Sequence, residues 1–403
     1  MKKLSSNVTD TTIPIKEIVE ITHKKNIIEQ RLKRQQDSLD YQQPFRVLHH
    51  VDHIYKLKHG MYVPPIQVEI SPTSICNQTC RFCYTFEREH DNTMDKNIMF
   101  DFFANAKKIG VKTIYIAGTG EPLVNKNLPE AINIGGQTGI SMGLNTNASL
   151  FSPEKQKKSL EYLTYFKISV MDSDAKRYAK NHVCPEGHYE NIVKNIQHAA
   201  DYRSKINASV SLFTTVYVDN ENFPFVYDIV KFCKEIGLDF VCLQGPATFT
   251  EFSPDGRKKM KICDTEDQVK ELNDRVKELE DDGFKLYITF SKVDNEHLQY
   301  KKNDKHGNWK PNHCHGVHLL TAISGDGEVY PCWRAWGNKK LSYGNLHKKS
   351  FEEIWKGEKR TEVNKFIYST APKGDECNVC KTTLNNVNLN KVLNPTNKWT
   401  NIL

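Results

Sequence analysis

The first residues with chemical potential are three cysteines in the run Cys76-Asn-Gln-Thr-Cys80-Arg-Phe-Cys83, in a chain of 403 residues that holds eleven cysteines. A random arrangement gives this C-x3-C-x2-C spacing with a chance of about 0.01. Three thiolates on so short a loop can approach one centre, and thiolate suits zinc or iron–sulfur clusters. A structural zinc normally takes a fourth protein ligand, yet the next cysteine in the chain is Cys184. An iron–sulfur cube held by only three cysteines keeps one iron open for a cofactor or substrate.

Cys314, Cys332, Cys377 and Cys380 form a second set. Gly325-Asp326-Gly327 separates the apolar run Leu319 to Ile323 from Val329-Tyr330, which predicts a β-hairpin that folds the chain back between Cys314 and Cys332. Cys377-Asn-Val-Cys380 then adds a short two-ligand loop. Four thiolates close a site, and spacing alone fits structural zinc as well as an iron–sulfur cluster. His313, His315 and His318 lie around Cys314; with four cysteines already sufficient, they read as flanking polar residues.

These cysteines need elements to position them. From Pro64-Pro65 onward, β-rich runs (Ile66 to Ser71, Thr113 to Ala117, Ile140 to Asn145, Phe166 to Val170, Ala208 to Thr215, Phe240 to Leu243) alternate with helical windows. Those windows are Phe100 to Ile109, Leu128 to Gln137, Pro153 to Tyr162, Tyr189 to Arg203 and Pro224 to Ile236. Strict alternation predicts parallel strands with right-handed crossovers, here a partial (β/α)6 barrel of the TIM type in the α/β class. A further helix, Glu266 to Asp281, precedes Phe284 to Phe290, which is expected at the edge of the barrel. The cysteine triplet then falls just after the first strand, at the end where barrels carry their chemistry.

Here the sequence resembles the radical S-adenosylmethionine (SAM) superfamily. The resemblance rests on the triplet with Phe82 in its aromatic place, on Gly118-Thr119-Gly120-Glu121-Pro122 after the second strand, on Asn145-Thr146-Asn147 after the third, and on Lys167-Ile168-Ser169 in the fourth. It implies that Cys76, Cys80 and Cys83 hold a [4Fe-4S] cluster whose free iron chelates SAM. One electron then cleaves SAM to a 5′-deoxyadenosyl radical that abstracts a substrate hydrogen. Glu121 or a nearby carbonyl is expected to accept from the SAM amine, and Asn145, Asn147 and Ser169 to hydrogen-bond its ribose or carboxylate. The glycines would let that backbone come close to the ligand.

The C-terminal set resembles the shortened SPASM or twitch domain that follows such barrels, with a β-hairpin plus helix. Its C-x12-G-x4-C run is followed by Gly344-Asn345-Leu346, Phe351 to Trp355 and C-x2-C. The spacing is similar to that in 2-deoxy-scyllo-inosamine dehydrogenases, where an auxiliary [4Fe-4S] cluster takes an electron from the substrate. That implies net two-electron oxidation of a small polar metabolite such as a sugar, aminocyclitol or nucleoside-linked unit. Maturation of a ribosomally made peptide is the second expectation, and a zinc-bearing scaffold the one from another class. Flavodoxin or ferredoxin is implied as electron donor.

Cys184, in the loop after the fourth strand, is either an inert thiol or a hydrogen donor to a substrate radical. Cys233 and Cys242 are expected as small buried apolar residues, and Cys263 as an unpaired thiol in a polar loop. The spacing of His49, His50 and His53 predicts one solvated helix face. The expected division is a helical extension over 1–64, the barrel over 65–294, the cluster domain over 295–384, and a loosely packed tail over 385–403.

Composition bounds the rest. The chain is 38% hydrophobic and carries a formal charge of +7 spread along its length, so neither a membrane span nor a nucleic-acid partner is expected. The N-terminus lacks the apolar core of a secretory signal, which with the odd cysteine count places the chain in a reducing cytoplasm.

Overall fold

The computed structural model describes residues 46–83, 85, 91–245, 266–289, 314–370 and 383–393. Cys263, His313, Cys377 and Cys380, and most of the N-terminal extension, lie outside the described residues.

After a short 3-10 turn at Arg46–His49, helix α1 (Val51–Lys58) leads into strand β1 (Gln67–Ile70). Six strand–helix alternations follow. They comprise α2 (Lys96–Ile109), β2 (Thr113–Ile116), α3 (Leu128–Thr138), β3 (Ser141–Thr146), α4 (Pro153–Tyr162) and β4 (Tyr165–Ile168). The chain continues through α5 (Ala175–His182), α6 (Gly187–Ile206), β5 (Ser211–Tyr217), α7 (Val226–Glu235), β6 (Phe240–Gln244), α8 (Glu266–Lys277) and β7 (Lys285–Thr289). All seven strands run parallel in sequence order, and β7 occupies the expected edge. The sheet is open, a partial barrel.

Local sequence explains the helices. In α2 the Asp95 side chain caps the first turn by accepting from the amides of Asn97 (2.8 Å) and Ile98 (3.3 Å). Met99, Phe102, Phe103 and Ala106 then recur at the helical period and are buried against the sheet. Full burial of a side chain such as Phe103 stabilises the fold by ~1.5–3 kcal/mol.

The strands divide their residues by alternation. Val68, Ile70, Ile114, Ile116, Met142, Leu144, Phe166, Ile168, Val241 and Leu243 join the main core under the helices. Period two therefore turns Glu69, Tyr115, Asn145, Tyr165, Lys167, Phe213, Phe240, Cys242 and Tyr287 to the concave face. Phe213, Phe240 and Cys242, with Tyr165 and Tyr287, form a separate cluster there. Cys233, fully buried in α7, packs in the main core instead.

The predicted hairpin is present and joins the barrel sheet. β8 (Leu320–Ile323) pairs parallel to β1, with Gln67 opposite Leu320 and Ile70 opposite Ile323, and β9 (Glu328–Tyr330) returns antiparallel. β10 (Gly344–Asn345) completes a sheet of ten strands among the described residues. Helices α9 (Phe351–Lys356) and α10 (Glu358–Thr370) follow. A capping box between Ser350 and Glu353 starts α9, and Trp355 donates its indole N–H to the carbonyl of Val63 at 2.8 Å.

Two expectations are corrected. The tail from Asn385 is not loose at its start: α11 (Thr383–Leu393) places Leu389 and Leu393, one turn apart, in a cluster with Val47, Ile54 and Leu319. Asn386 also accepts from the amide of Gly316 at 2.8 Å. The three N-terminal histidines do not share a solvated face. His49 ends the 3-10 turn, His50 precedes α1, and His53 is buried, within hydrogen-bond distance (3.0 Å) of the His318 carbonyl. The helix is interrupted at His50, between the 3-10 turn and α1, so simple helical spacing does not apply. Among the described residues no helix is long and apolar enough to cross a membrane.

Candidate active site

The cysteine loop leaves the C-terminal end of β1 and is fastened by the segments that follow β2, β3 and β4. After β2, the amide of Thr119 donates to the Ser71 hydroxyl (3.1 Å) and the amide of Glu121 to the carbonyl of Ile75 (3.0 Å). Beyond β3, Asn147 donates to Asn77 (2.8 Å), which donates to Ser149 (2.8 Å). At the end of α5, the carbonyl of Asn181 accepts from the amide of Arg81 (2.9 Å), and Gln78 donates to the Tyr178 hydroxyl (3.3 Å). Cys76, Cys80 and Cys83 are thereby held on one short, anchored loop, and all are free thiols.

Their electrostatics fit a cationic cluster. Although Cys76 reaches solvent, loss of hydration pushes its thiol up to about 11, with Glu121 and Cys83 adding to the rise. Burial also raises Cys80 well above its ordinary value, and Cys83 and Cys76 add to the rise. Three thiolates at this spot repel one another unless positive charge lies between them. No group of three or more His, Cys, Asp or Glu side chains among the described residues is gathered tightly enough for a single metal ion. The all-sulfur donor set of the triplet matches iron–sulfur chemistry.

The Gly118 to Pro122 turn packs directly on this loop. A Cβ on Gly118, at φ +130, would lie 2.2 Å from the Ser71 hydroxyl, and one on Gly120 would lie 2.3 Å from the carbonyl of Ile75. The glycines are therefore required by the protein's own loop. Glu121 is 3% exposed, and its carboxylate accepts from the Thr146 hydroxyl (2.5 Å), the Asn147 amide (2.7 Å) and the Leu123 amide (3.0 Å). Burial raises its pKa while these three donors pull it down. The carboxylate serves as a tie between the segments that follow β2 and β3.

The other expected residues take varied positions. Asn147 is engaged with Asn77 and Ser149. Asn145 faces the concave side and donates to the Tyr115 hydroxyl at 2.5 Å. Ser169 follows β4, half-buried, with its carbonyl accepting from Tyr178 at 3.4 Å. Phe82 lies between the His182 ring (5.1 Å) and the Tyr217 ring (6.2 Å). Cys184 sits beside the loop, its sulfur 3.9 Å from Gln78 Nε2, and burial raises its thiol pKa.

Several neighbours escape the sequence motifs. Gln78, Tyr178 and His182 form a buried group against Cys80, and Glu69 and Tyr115 supply polar groups to the concave face beside Lys167 of the fourth-strand motif. The latter were findable: they are polar residues at the inward positions of otherwise apolar strands. Lys167 also extends over the Phe213 ring at 6.0 Å.

Cys314 and Cys332 lie at the other end of the same strands. Cys314 precedes β8 and Cys332 follows β9, whereas Cys76 follows β1, which runs parallel to β8. Tyr343 feels both thiols, and its pKa is raised chiefly by burial. Arg360 is close by, 3.6 Å over the Trp355 ring and donating to the carbonyl of Val317 at 3.0 Å. His318, on the 3-10 turn that also carries the buried His315, is within hydrogen-bond distance of Tyr368 (2.6 Å) and Arg360 (3.5 Å). Burial first and Arg360 second lower the His318 pKa to about 3.

Comparison with known proteins agrees with these two centres. A profile of the radical SAM superfamily matches residues 70–238, and one of the iron–sulfur cluster-binding SPASM domain matches residues 314–381. The tungsten-containing aldehyde ferredoxin oxidoreductase cofactor-modifying protein of Pyrococcus furiosus is 23% identical over 336 residues, covering 77% of this chain and 88% of that protein. SuiB of Streptococcus suis superposes with a TM-score of 0.58 at 18% identity, covering 92% of this chain and 84% of that one. Its structure bound to the precursor peptide SuiA gives 0.57 at 17% identity, covering 86% and 76%. With a cysteine triplet at the mouth of a partial barrel and Cys314 and Cys332 flanking a hairpin joined to it, the chain belongs to the radical SAM superfamily, with SAM and [4Fe-4S] as cofactors and a C-terminal SPASM domain for further iron–sulfur.

Proposed function

We propose that the protein is an oxidative maturase that removes two electrons from a C–H bond of a ribosomally made peptide or protein. The observation that carries this reading is the placement of Cys76, Cys80 and Cys83 beyond one end of the strand pair β1 and β8 and of Cys314 and Cys332 beyond the other, with polar side chains on the concave face beside them. β1 spans four residues, about 13 Å at the usual strand rise. A substrate seated over Glu69, Tyr115 and Lys167 lies between the centres.

Cys76, Cys80 and Cys83 would hold the cluster, which with SAM would supply the radical chemistry that removes the substrate hydrogen. The chain's share is to hold and orient. Carbonyls of Gly118, Thr119 and Gly120 accept from the SAM amine, Asn145 and Ser169 face its polar groups, and Phe82 shields the pocket from water. Cys314, Cys332, Cys377 and Cys380 would hold the auxiliary cluster, which would supply an acceptor for the second electron, with the accompanying proton lost to solvent. Flavodoxin or ferredoxin supplies the first electron, and the reducing cytoplasm is the fitting compartment.

A peptide substrate is supported by SuiB, whose structure was solved with its precursor peptide. The Pyrococcus relative, named for modifying the cofactor of an oxidoreductase, supports a maturation role more broadly. A second reading, oxidation of a sugar, aminocyclitol or nucleoside-linked unit, is favoured by the hydroxyl-binding character of Glu69, Tyr115 and Asn145. Incubating the reduced, reconstituted enzyme and SAM with short peptides encoded beside its gene, and separately with an aminocyclitol panel, distinguishes the two. A peptide product lighter by two hydrogens, formed with stoichiometric 5′-deoxyadenosine, supports the maturase. Turnover confined to the small-molecule panel would reject it.

A further inference from the structure

Beneath the cysteine loop lies a side chain that no motif covers. His182 ends α5, is 1% exposed, stacks on Tyr178 at 3.9 Å and meets Phe82 edge-on at 5.1 Å. Its Nδ1 lies 3.3 Å from the Cys80 sulfur and 3.1 Å from Oε1 of Gln78. Its Nε2 is buried with no hydrogen-bond partner among the described residues.

These contacts fix the tautomer once Cys80 is a ligand. A thiolate bound to iron carries no proton, and Oε1 of Gln78 can only accept. The single hydrogen available to both contacts is therefore the one on Nδ1, shared between sulfur and amide oxygen. The same geometry explains the orphaned Nε2, which has a lone pair and no proton to place.

The backbone gives an independent indication. Val183, the next residue, adopts φ 46°, a left-handed conformation that is unusual for a β-branched side chain. Such a conformation is strained and persists where the surroundings over-determine it. Here it lets His182 enter the core under Cys80 while Cys184 returns to the same loop, 3.9 Å from Gln78. The Arg81 amide to Asn181 carbonyl bond clamps the two segments together at 2.9 Å.

We propose that His182 is a positioning residue for the SAM-binding cluster, its Nδ1–H donating to the Cys80 sulfur and so setting how readily the cluster accepts an electron. Hydrogen bonds to cluster sulfurs and partners of the ligands tune reduction potential. A donor at the thiolate stabilises the reduced, more negative cluster and raises its potential. The inference rests on the assignment of Cys76, Cys80 and Cys83 to that cluster.

The test is an EPR-monitored redox titration of the anaerobically reconstituted full-length protein, following the signal that SAM perturbs, in wild type, H182F and H182N. Phe keeps the stack on Tyr178 and removes the donor; Asn places a side-chain N–H close to Nδ1. In H182F the reduced-to-oxidised ratio at a fixed potential should fall about tenfold, ~59 mV for a one-electron couple, while H182N stays within about twofold of wild type. Coincident titrations of wild type and H182F would overturn the proposal, as would an Asn variant that follows Phe. If H182F fails to assemble the cluster, H182N decides: full iron with the wild-type titration supports the donor, and loss of iron there too overturns it. Absence of a SAM-responsive signal from wild type itself would instead sink the underlying assignment.

Discussion

Asn147 donates its side-chain amide to Asn77 at 2.8 Å, so the turn after β3 grips the cysteine loop one residue beyond Cys76. Its own carbonyl oxygen is held by the amide and hydroxyl of Ser149 at 2.9 and 2.7 Å. The residue that the sequence pointed to as a SAM contact is occupied in building the loop that holds the cluster. Replacing Asn147 by Ala removes these bonds at a cost of about 1–3 kcal/mol. The expected outcome is unchanged far-UV circular dichroism with faster bleaching of iron absorbance by a chelator; an unaltered bleaching rate would show that the grip is dispensable.

Gly120 packs its Cα against the backbone of Ser74 and Ile75, leaving no room for a methyl group. Since the obstacle is backbone rather than a flexible side chain, G120A must displace the cysteine loop. We expect the barrel to fold with a melting temperature within a few degrees of wild type, while reconstitution yields about four fewer irons per chain. Full iron loading of G120A would contradict the packing argument.

Glu121 satisfies three donors in a site closed to water. E121A leaves the Thr146 hydroxyl and the Leu123 and Asn147 amides without that acceptor and should destabilise the fold by about 3–5 kcal/mol, given 1–3 kcal/mol for each unpaired buried group. E121Q keeps one oxygen and turns an N–H toward a donor, so a smaller loss of about 1–3 kcal/mol is expected. Urea midpoints at constant slope measure both. Equal, near-zero losses would indicate that the carboxylate faces a ligand rather than its own fold.

His318 makes stability depend on pH. Its folded pKa is held near 3, against 6.5 in the unfolded chain, by burial and then by Arg360. As pH falls through 6.5 the unfolded state binds a proton that the folded state refuses, so stability drops from there down to about pH 3, by up to ~1.4 kcal/mol per unit. Thermal unfolding between pH 6.5 and 4 should therefore show a steeper decline in wild type than in H318Q. Parallel declines would remove His318 as the cause.

Legibility in the sequence followed the range of the interaction concerned. The cysteine triplet, the Gly118 to Pro122 turn, the alternating strands and the Gly325 to Gly327 hairpin are local patterns, and each is legible within a dozen residues. The pairing of β8 with β1 is not, because Gln67 and Leu320 lie about 250 residues apart in the chain and meet only in the assembled sheet. The hydrogen bonds of Glu121 were not legible because its donors Thr146 and Asn147 belong to another strand's end. His182 sat in plain view beside Cys184, but only the fold brings α5 under the loop. The tail was misread because the partners of Leu389, namely Val47 and Ile54, lie at the opposite end of the chain.

The most direct measurement is the low-temperature EPR spectrum of the reduced, reconstituted protein with and without SAM, in wild type and in the C76A/C80A/C83A variant. The account predicts that SAM shifts one signal in wild type and that this signal vanishes in the variant while the auxiliary signal remains. A wild-type spectrum indifferent to SAM, or a SAM-responsive signal surviving loss of the three cysteines, would contradict it.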